Sequence, residues 1–188
     1  MTRRMDLQMA GVSALLAIPA LILSGVFLVL FFGGAGDQYG PLNDFFVAVT
    51  MALLVLPAKA LLTVVGTAGG QWFRVLTWLN IAGLTVAIAG QLLLIAGIIT
   101  LAMSFVTGSL GLVPILAWSG AQAYLGLRFG TPSRSIGWTL AAVLTLSLLV
   151  TLSWAIGAEM MVWTLTAALV AALTGYLGLL GRQLLAHV

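Results

Sequence analysis

The sequence predicts an all-α fold, a polytopic membrane helical bundle of six transmembrane helices with both termini on the cytoplasmic side. Three observations predict it. Only 11 of the 188 residues are charged (7 Lys or Arg plus 4 Asp or Glu), while 62% are hydrophobic. The charges fall almost wholly in gaps between apolar runs of about 20 residues, the length that crosses a hydrocarbon core of roughly 30 Å. They also sort by sign. With the N-terminus inside, Arg3, Arg4, Lys59, Arg74, Arg128, Arg134 and Arg182 fall on or lean toward the cytoplasmic side. Asp37, Asp44 and Glu159 fall outside, leaving Asp6 as the only inner acid. This is the pattern of the positive-inside rule.

The spans follow in order, within a single membrane domain over residues 1–188. Helix 1 covers about Met9 to Phe32 and ends at Gly33-Gly34-Ala35-Gly36. Arg3-Arg4 before an apolar run has the look of a signal peptide. The run outlasts the 7–15 residues of a typical signal core, so a retained helix is expected, with Gly34-Ala35-Gly36 as the alternative cleavage point. Asp37 to Asp44 reads as a polar turn, with Asn43 and Asp44 as N-caps for helix 2, about Phe45 to Val65. Gly66-Thr67-Ala68-Gly69-Gly70 reads as a flexible turn, since it lacks the lysine and strand of a phosphate loop. Helix 3 is placed from about Val75 to Met103, too long for the bilayer without tilt. Helix 4 is placed at about Leu110 to Leu127, with Pro114 near its first turns. Helix 5 covers about Ile136 to Ile156 and helix 6 about Met160 to Gly181.

Trp72, Trp78, Trp138, Trp154 and Trp163 lie near predicted helix ends, where indole rings anchor at the membrane interface. Arg74 with Trp78, and Arg134 with Trp138, repeat an Arg–Trp spacing of four at the start of helices 3 and 5. Three hairpins in series, or convergent interface chemistry, would each produce it.

Helix packing is the strongest local signal. Ala82-Gly83, Ala89-Gly90 and Ala96-Gly97 recur every seven residues on helix 3, keeping one small-residue stripe toward a partner helix. Ala168, Ala171, Ala172, Gly175 and Gly178 offer a matching face on helix 6. The two stripes could meet within one chain or across a homo-oligomer.

The candidate polar site is Lys59, Gln91, Gln122 and Asn80. Lys59 is the only charge well inside an apolar run, about 21 Å along helix 2. A flexible lysine there can snorkel to the inner interface; the alternative is a buried functional lysine. Pro57 frees a backbone carbonyl nearby. The three amides, with Thr145, Ser147, Thr151 and Ser153 on helix 5, are expected to bond between helices. The alternative is a polar cavity of Lys59, Gln91 and Gln122 that takes a small solute or lipid headgroup.

Much chemistry is excluded. There is no cysteine, and the single histidine, His187, is penultimate. No bis-His haem, metal cluster or Ser–His nucleophile can form from these residues, and no carboxylate lies within a span to relay protons. Seven scattered basic residues do not make a nucleic-acid surface. No catalytic residue, cofactor or metal is therefore expected.

Gly40-Pro41-Leu42-Asn43-Asp44, opening a helix that later carries Leu56-Pro57, resembles small, uncharacterised multi-helix bacterial membrane proteins with a similar turn after the first span. The resemblance covers about the first third of the chain and implies a bacterial inner-membrane protein, without transferring any active-site residue. Two functions are compatible with the sequence. One is a non-catalytic structural or accessory subunit, with the lipid bilayer and a membrane-protein partner or second copy as its contacts. The other is a small oligomeric permease or channel-like protein with Lys59 and the amides lining its path.

Overall fold

The structure, a computed structural model, describes residues 2–187, with side chains described for all but residues 2, 3 and 105. The predicted inner charge of Arg3 thus lies outside the described side chains. Those residues form six α-helices and one 3-10 turn, with no strand. The helices are α1 (Thr2–Phe32), α2 (Tyr39–Val65), α3 (Gly70–Ile95), α4 (Leu101–Phe129), α5 (Arg134–Ala155) and α6 (Glu159–Ala186). The 3-10 turn, Gly66–Gly69, joins α2 to α3. Several of these helices are long and apolar enough to cross a membrane, and Tyr39–Ile95 holds two of them in one stretch of 57 residues.

Helices α1 and α3 start earlier than expected, at Thr2 and Gly70, and α6 runs on to Ala186; three further boundaries depart from expectation, each for a local reason. Helix 3 stops at Ile95 rather than Met103, because Ala96-Gly97 is a stop signal and not a third packing pair. Gly97 takes φ +69, and its N–H bonds to the Leu94 carbonyl at 2.9 Å while that of Ile98 bonds to Leu93 at 2.9 Å. This is the paired closure of a left-handed helix cap. The same pairing recurs at Gly34 and Gly157, so α1, α3 and α5 end alike. Helix 4 consequently starts at Leu101, where Thr100 Oγ1 accepts from the Met103 N–H, and Pro114 falls mid-helix. Helix 2 begins at Tyr39, so Asn43 and Asp44 lie inside it and cap nothing; the N-cap is Gln38, with no side-chain cap bond. Proline in a first turn lacks only an N–H that would be orphaned anyway, so Pro41 does not delay the start.

Each helix packs on its sequence neighbour, and α6 returns to α1, closing the circuit; α2 also touches α6. Neighbouring helices run antiparallel: Ser13 reaches Leu53 while Ser24 reaches Asn43, and Gly83 meets Gly111 while Gly90 meets Thr107. Arg4, Arg74, Arg128, Arg134 and Arg182 accordingly gather at one end of the bundle, the basic end. Asp37 and Glu159 lie at the other.

Close approach occurs at glycines. A Cβ on Gly83 would stand 2.6 Å from the Gly111 carbonyl oxygen and 2.7 Å from Pro114 Cγ. At the basic end a Cβ on Gly126 would stand 2.8 Å from the Gly137 Cα, and one on Gly11 3.0 Å from the Gly181 carbonyl oxygen. The α3 stripe therefore packs on α4, not on α6, with which α3 makes no contact among the described residues. Gly83 and Gly90 are buried, whereas Ala82, Ala89, Ala96 and Gly97 are exposed. The reason is helical geometry: adjacent residues point about 100° apart, so only one member of each Ala-Gly pair can face the neighbour.

The main buried cluster lies toward the basic end, from Leu7 to Ala17 on α1, Ala58 to Val65 on α2, Trp118 to Leu125 on α4 and Tyr176 to Leu184 on α6. Toward the other end α1 and α6 part around an apolar cleft of about 510 Å³ lined by Leu21, Gly25, Val29, Trp163 and Val170. The outer surface between the two ends is mostly apolar, with Val12, Val26, Val75, Val86, Leu148 and Met161 all exposed. Water would penalise such a surface by roughly 25 cal/mol per Å²; hydrocarbon does not.

Gly83→Leu is expected to prevent folding, because the added side chain meets backbone, while Ala82→Leu is tolerated. Yield in mild detergent and thermal unfolding by circular dichroism compare the two, and equal behaviour would show that the α3–α4 crossing is not the tight one.

Candidate functional site

Inside the circuit, α3, α4 and α6 hold a column of neutral polar side chains. Periodicity puts them there: Thr77 and Asn80 are three apart on α3, and Trp118 and Gln122 four apart on α4, so each pair shares a helix face. Trp118 Nε1–H donates to Thr77 Oγ1 at 3.0 Å, and Thr77 donates onward to the Phe73 carbonyl at 2.8 Å. Tyr176 donates to Gln122 Oε1 at 3.3 Å. This last bond ties α4 to α6, whose backbones do not otherwise approach. Thr77, Asn80 and Gln122 are essentially inaccessible.

The column is incompletely satisfied. Both amide atoms of Asn80, and Nε2 of Gln122, are buried without a hydrogen-bond partner. With Thr77 and Trp118 level, antiparallel α3 and α4 separate Asn80 from Gln122 by about 10 Å along the bundle. A buried amide left unpaired costs about 1–3 kcal/mol. The open groups are donors and an acceptor with no formal charge, which suits water or a neutral hydrogen-bonding solute.

The structure does not bring the four predicted polar residues together. Asn80 and Gln122 share the column. Gln91 is half-buried, its Oε1 unpartnered, and stands about 16 Å further along α3 than Asn80. Lys59 is exposed on α2 and shares a small cleft with Asp6, Met9 and Thr63. Among the described residues no ion pair joins Lys59 to Asp6. Of the predicted packing glycines on α6, Gly175 and Gly178 would meet nothing within 4 Å.

The carbonyl freed by Pro57 is that of Leu53, and the structure fills it: Ser13 Oγ–H donates to Leu53 O at 2.6 Å. An α1 hydroxyl thus repairs the α2 ladder and binds the two helices. Three of the four helix 5 hydroxyls behave otherwise than expected. Thr145, Ser147 and Thr151 donate to carbonyls four residues earlier on α5 itself, because a helical hydroxyl reaches its own preceding turn without waiting for a neighbour.

Sequence reasoning missed Trp118, Thr77, Tyr176 and Ser13. Trp118 was the available signal, being the tryptophan left out of the interfacial set; it is 7% exposed, against 68% for both Trp138 and Trp154. The glycines at 11, 111, 126, 137 and 181 were also passed over, since none belongs to a repeat.

Asn80→Leu is expected to stabilise the protein by about 1–3 kcal/mol, the range for removing an unmet buried polar group, and Tyr176→Phe to destabilise it modestly. Unfolding midpoints in detergent measure both, and a lower midpoint for Asn80→Leu would mean that its amide is satisfied in the folded protein. No known protein family, curated protein or solved structure matches the chain.

Proposed function

We propose that this chain is a single-domain, non-catalytic integral membrane protein of the bacterial inner membrane, crossing it six times with both termini cytoplasmic, and that it serves as a structural or accessory subunit. The observation that carries this reading is the free face of α6. Ala168, Ala171 and Gly175 are exposed along one side of that helix, and neither Gly175 nor Gly178 meets another atom within 4 Å of a built Cβ. Small residues serve helix association because they let backbones approach. On α1, α3, α4 and α5 a glycine contact of that kind is already used inside the chain, and on α6 it is used only at Gly181. The remaining face suits a transmembrane helix of a partner subunit or of a second copy.

The orientation follows the charge sorting, since basic residues are retained on the cytoplasmic side. The cysteine-free sequence makes it directly testable. Single cysteines at Asp37 and Ala158 should react with a membrane-impermeant maleimide added to intact cells, and one at Gly130 should not; the reverse pattern would invert the topology.

A second reading rests on the unpartnered amides of Asn80 and Gln122: a small permease for a neutral solute, its path following the interior column. Lys59, standing outside that column, has no part in it. Under this reading Asn80→Leu abolishes flux while Lys59→Met leaves it unchanged.

Gly175→Leu separates the subunit reading from a solitary protein. The native mass in mild detergent should fall to that of the single chain while the unfolding free energy stays within about 0.5 kcal/mol of the parent, as expected for a surface change. An unchanged assembly would exclude the α6 face as its interface.

A further inference from the structure

We propose that the α1/α2 face at the basic end binds one anionic phospholipid, with its phosphate between Arg4, Lys59 and His187 and an acyl chain along the groove between the two helices. Three cavities line up there. The first, about 390 Å³, is lined by Arg4, Thr63 and His187 from α1, α2 and the end of α6. The second, about 100 Å³, shares Thr63 with the first and adds Lys59 and Asp6. The third, about 460 Å³, shares Met9 and Leu56 with the second and runs on past Val12 and Leu16. Charged groups thus give way to a mostly apolar lining, Met9, Val12, Leu16, Leu53 and Leu56 with Gln8 and Ser13 among them, in the direction of the membrane interior. This is the order of groups in a phospholipid, and it decides for a lipid over a free anion, which would have no use for the groove.

The chemistry of each group fits a phosphate. Arg4 offers planar N–H donors, Thr63 a hydroxyl and His187 an imidazole N–H in either protonation state. Lys59 sits about 9 Å from the end of α2, below the headgroup plane, so its ammonium must rise toward the interface. A lipid phosphate is the acceptor it meets there. Asp6 opposes the site, and among the described side chains Arg4 and Lys59 against Asp6 leave the two polar cavities a net charge of +1 (2 − 1). Basic pockets between helices on the cytoplasmic side recognise anionic headgroups through this arithmetic, at about 1 kcal/mol per cation. The proposal rests on the reading that the chain spans a membrane with its basic end in the anionic leaflet.

The full chain, released into mild detergent and exposed to phosphatidylglycerol or phosphatidylcholine, is weighed by native mass spectrometry. The parent should retain phosphatidylglycerol about fivefold better than phosphatidylcholine. Lys59→Gln and Arg4→Gln should each remove about fivefold of that retention, the equivalent of one cation. Asp6→Asn should raise it by a similar factor, a gain that misfolding cannot imitate. Leu16→Trp, which fills the groove and alters no charge, should lower the retention of both lipids. Equal retention of the two lipids by the parent, or indifference to Lys59→Gln and Asp6→Asn, would overturn the proposal. Displacement of the lipid by millimolar inorganic phosphate would reassign the cleft to free anions and overturn it as well. Failure of the membrane reading is separately visible, because the chain would then leave the membrane fraction without detergent.

Discussion

Everything in this bundle depends on how closely two helix backbones can approach. A helix that is apolar around its circumference gains little by leaving lipid for a neighbour that is equally apolar. Association then rests on dispersion at short range, and dispersion falls steeply once a gap opens. The glycine crossings of α3 with α4, α4 with α5, and α1 with α6 supply that approach. Two of the three sit at the basic end, which is also where the largest buried cluster forms. Away from it α1 and α6 diverge, and an apolar cleft opens between them.

Polar groups are then distributed by a second constraint, that hydrocarbon satisfies no hydrogen bond. Most hydroxyls settle this locally, on their own preceding turn. The exceptions are informative, because each joins two elements: Ser13 to the Leu53 carbonyl that Pro57 leaves open, Ser24 to Asn43, Trp118 to Thr77, Tyr176 to Gln122 and Gln183 to the Pro132 carbonyl. Such bonds are worth about 0.6 kcal/mol each in a membrane protein. They hold the helices in register more than they hold them together. Asn80 stands apart as the interior residue whose amide finds nothing among the described residues.

The helical class and the order of the six helices were legible from run length, charge gaps and glycine clusters. Boundaries were less so, and Gly97 shows why. The same Ala-Gly pair that packs at Gly83 terminates the helix at Gly97, and a seven-residue repeat cannot say which. Asn43 and Asp44 misled in the opposite way, since good capping residues inside a helix look identical to caps before one. The interior column was half legible: Asn80 and Gln122 stand out as amides in apolar runs, but Thr77 and Tyr176 carry no such mark. That Lys59 stands apart from the amides depends on which side of α2 faces α3, which a uniformly apolar helix does not record. The interior facing of Gly111, Gly126 and Gly181 was hidden for the same reason.

The contact between Gly11 and Gly181 joins residues 170 positions apart (181 − 11). A ribosome adding about 5–20 residues per second takes roughly 10–30 s to cover that stretch. Through that interval α1 exists with Gly11 and Leu15 waiting for a helix that has not been made. The α1–α2 hairpin, fixed early by Ser13 and Leu53, can hold the seam open in the right shape until α6 arrives. The α1–α6 contact therefore closes later than the α1–α2 contact, because α6 is made long after α2. Until then the face of α1 that packs on α6 lies open.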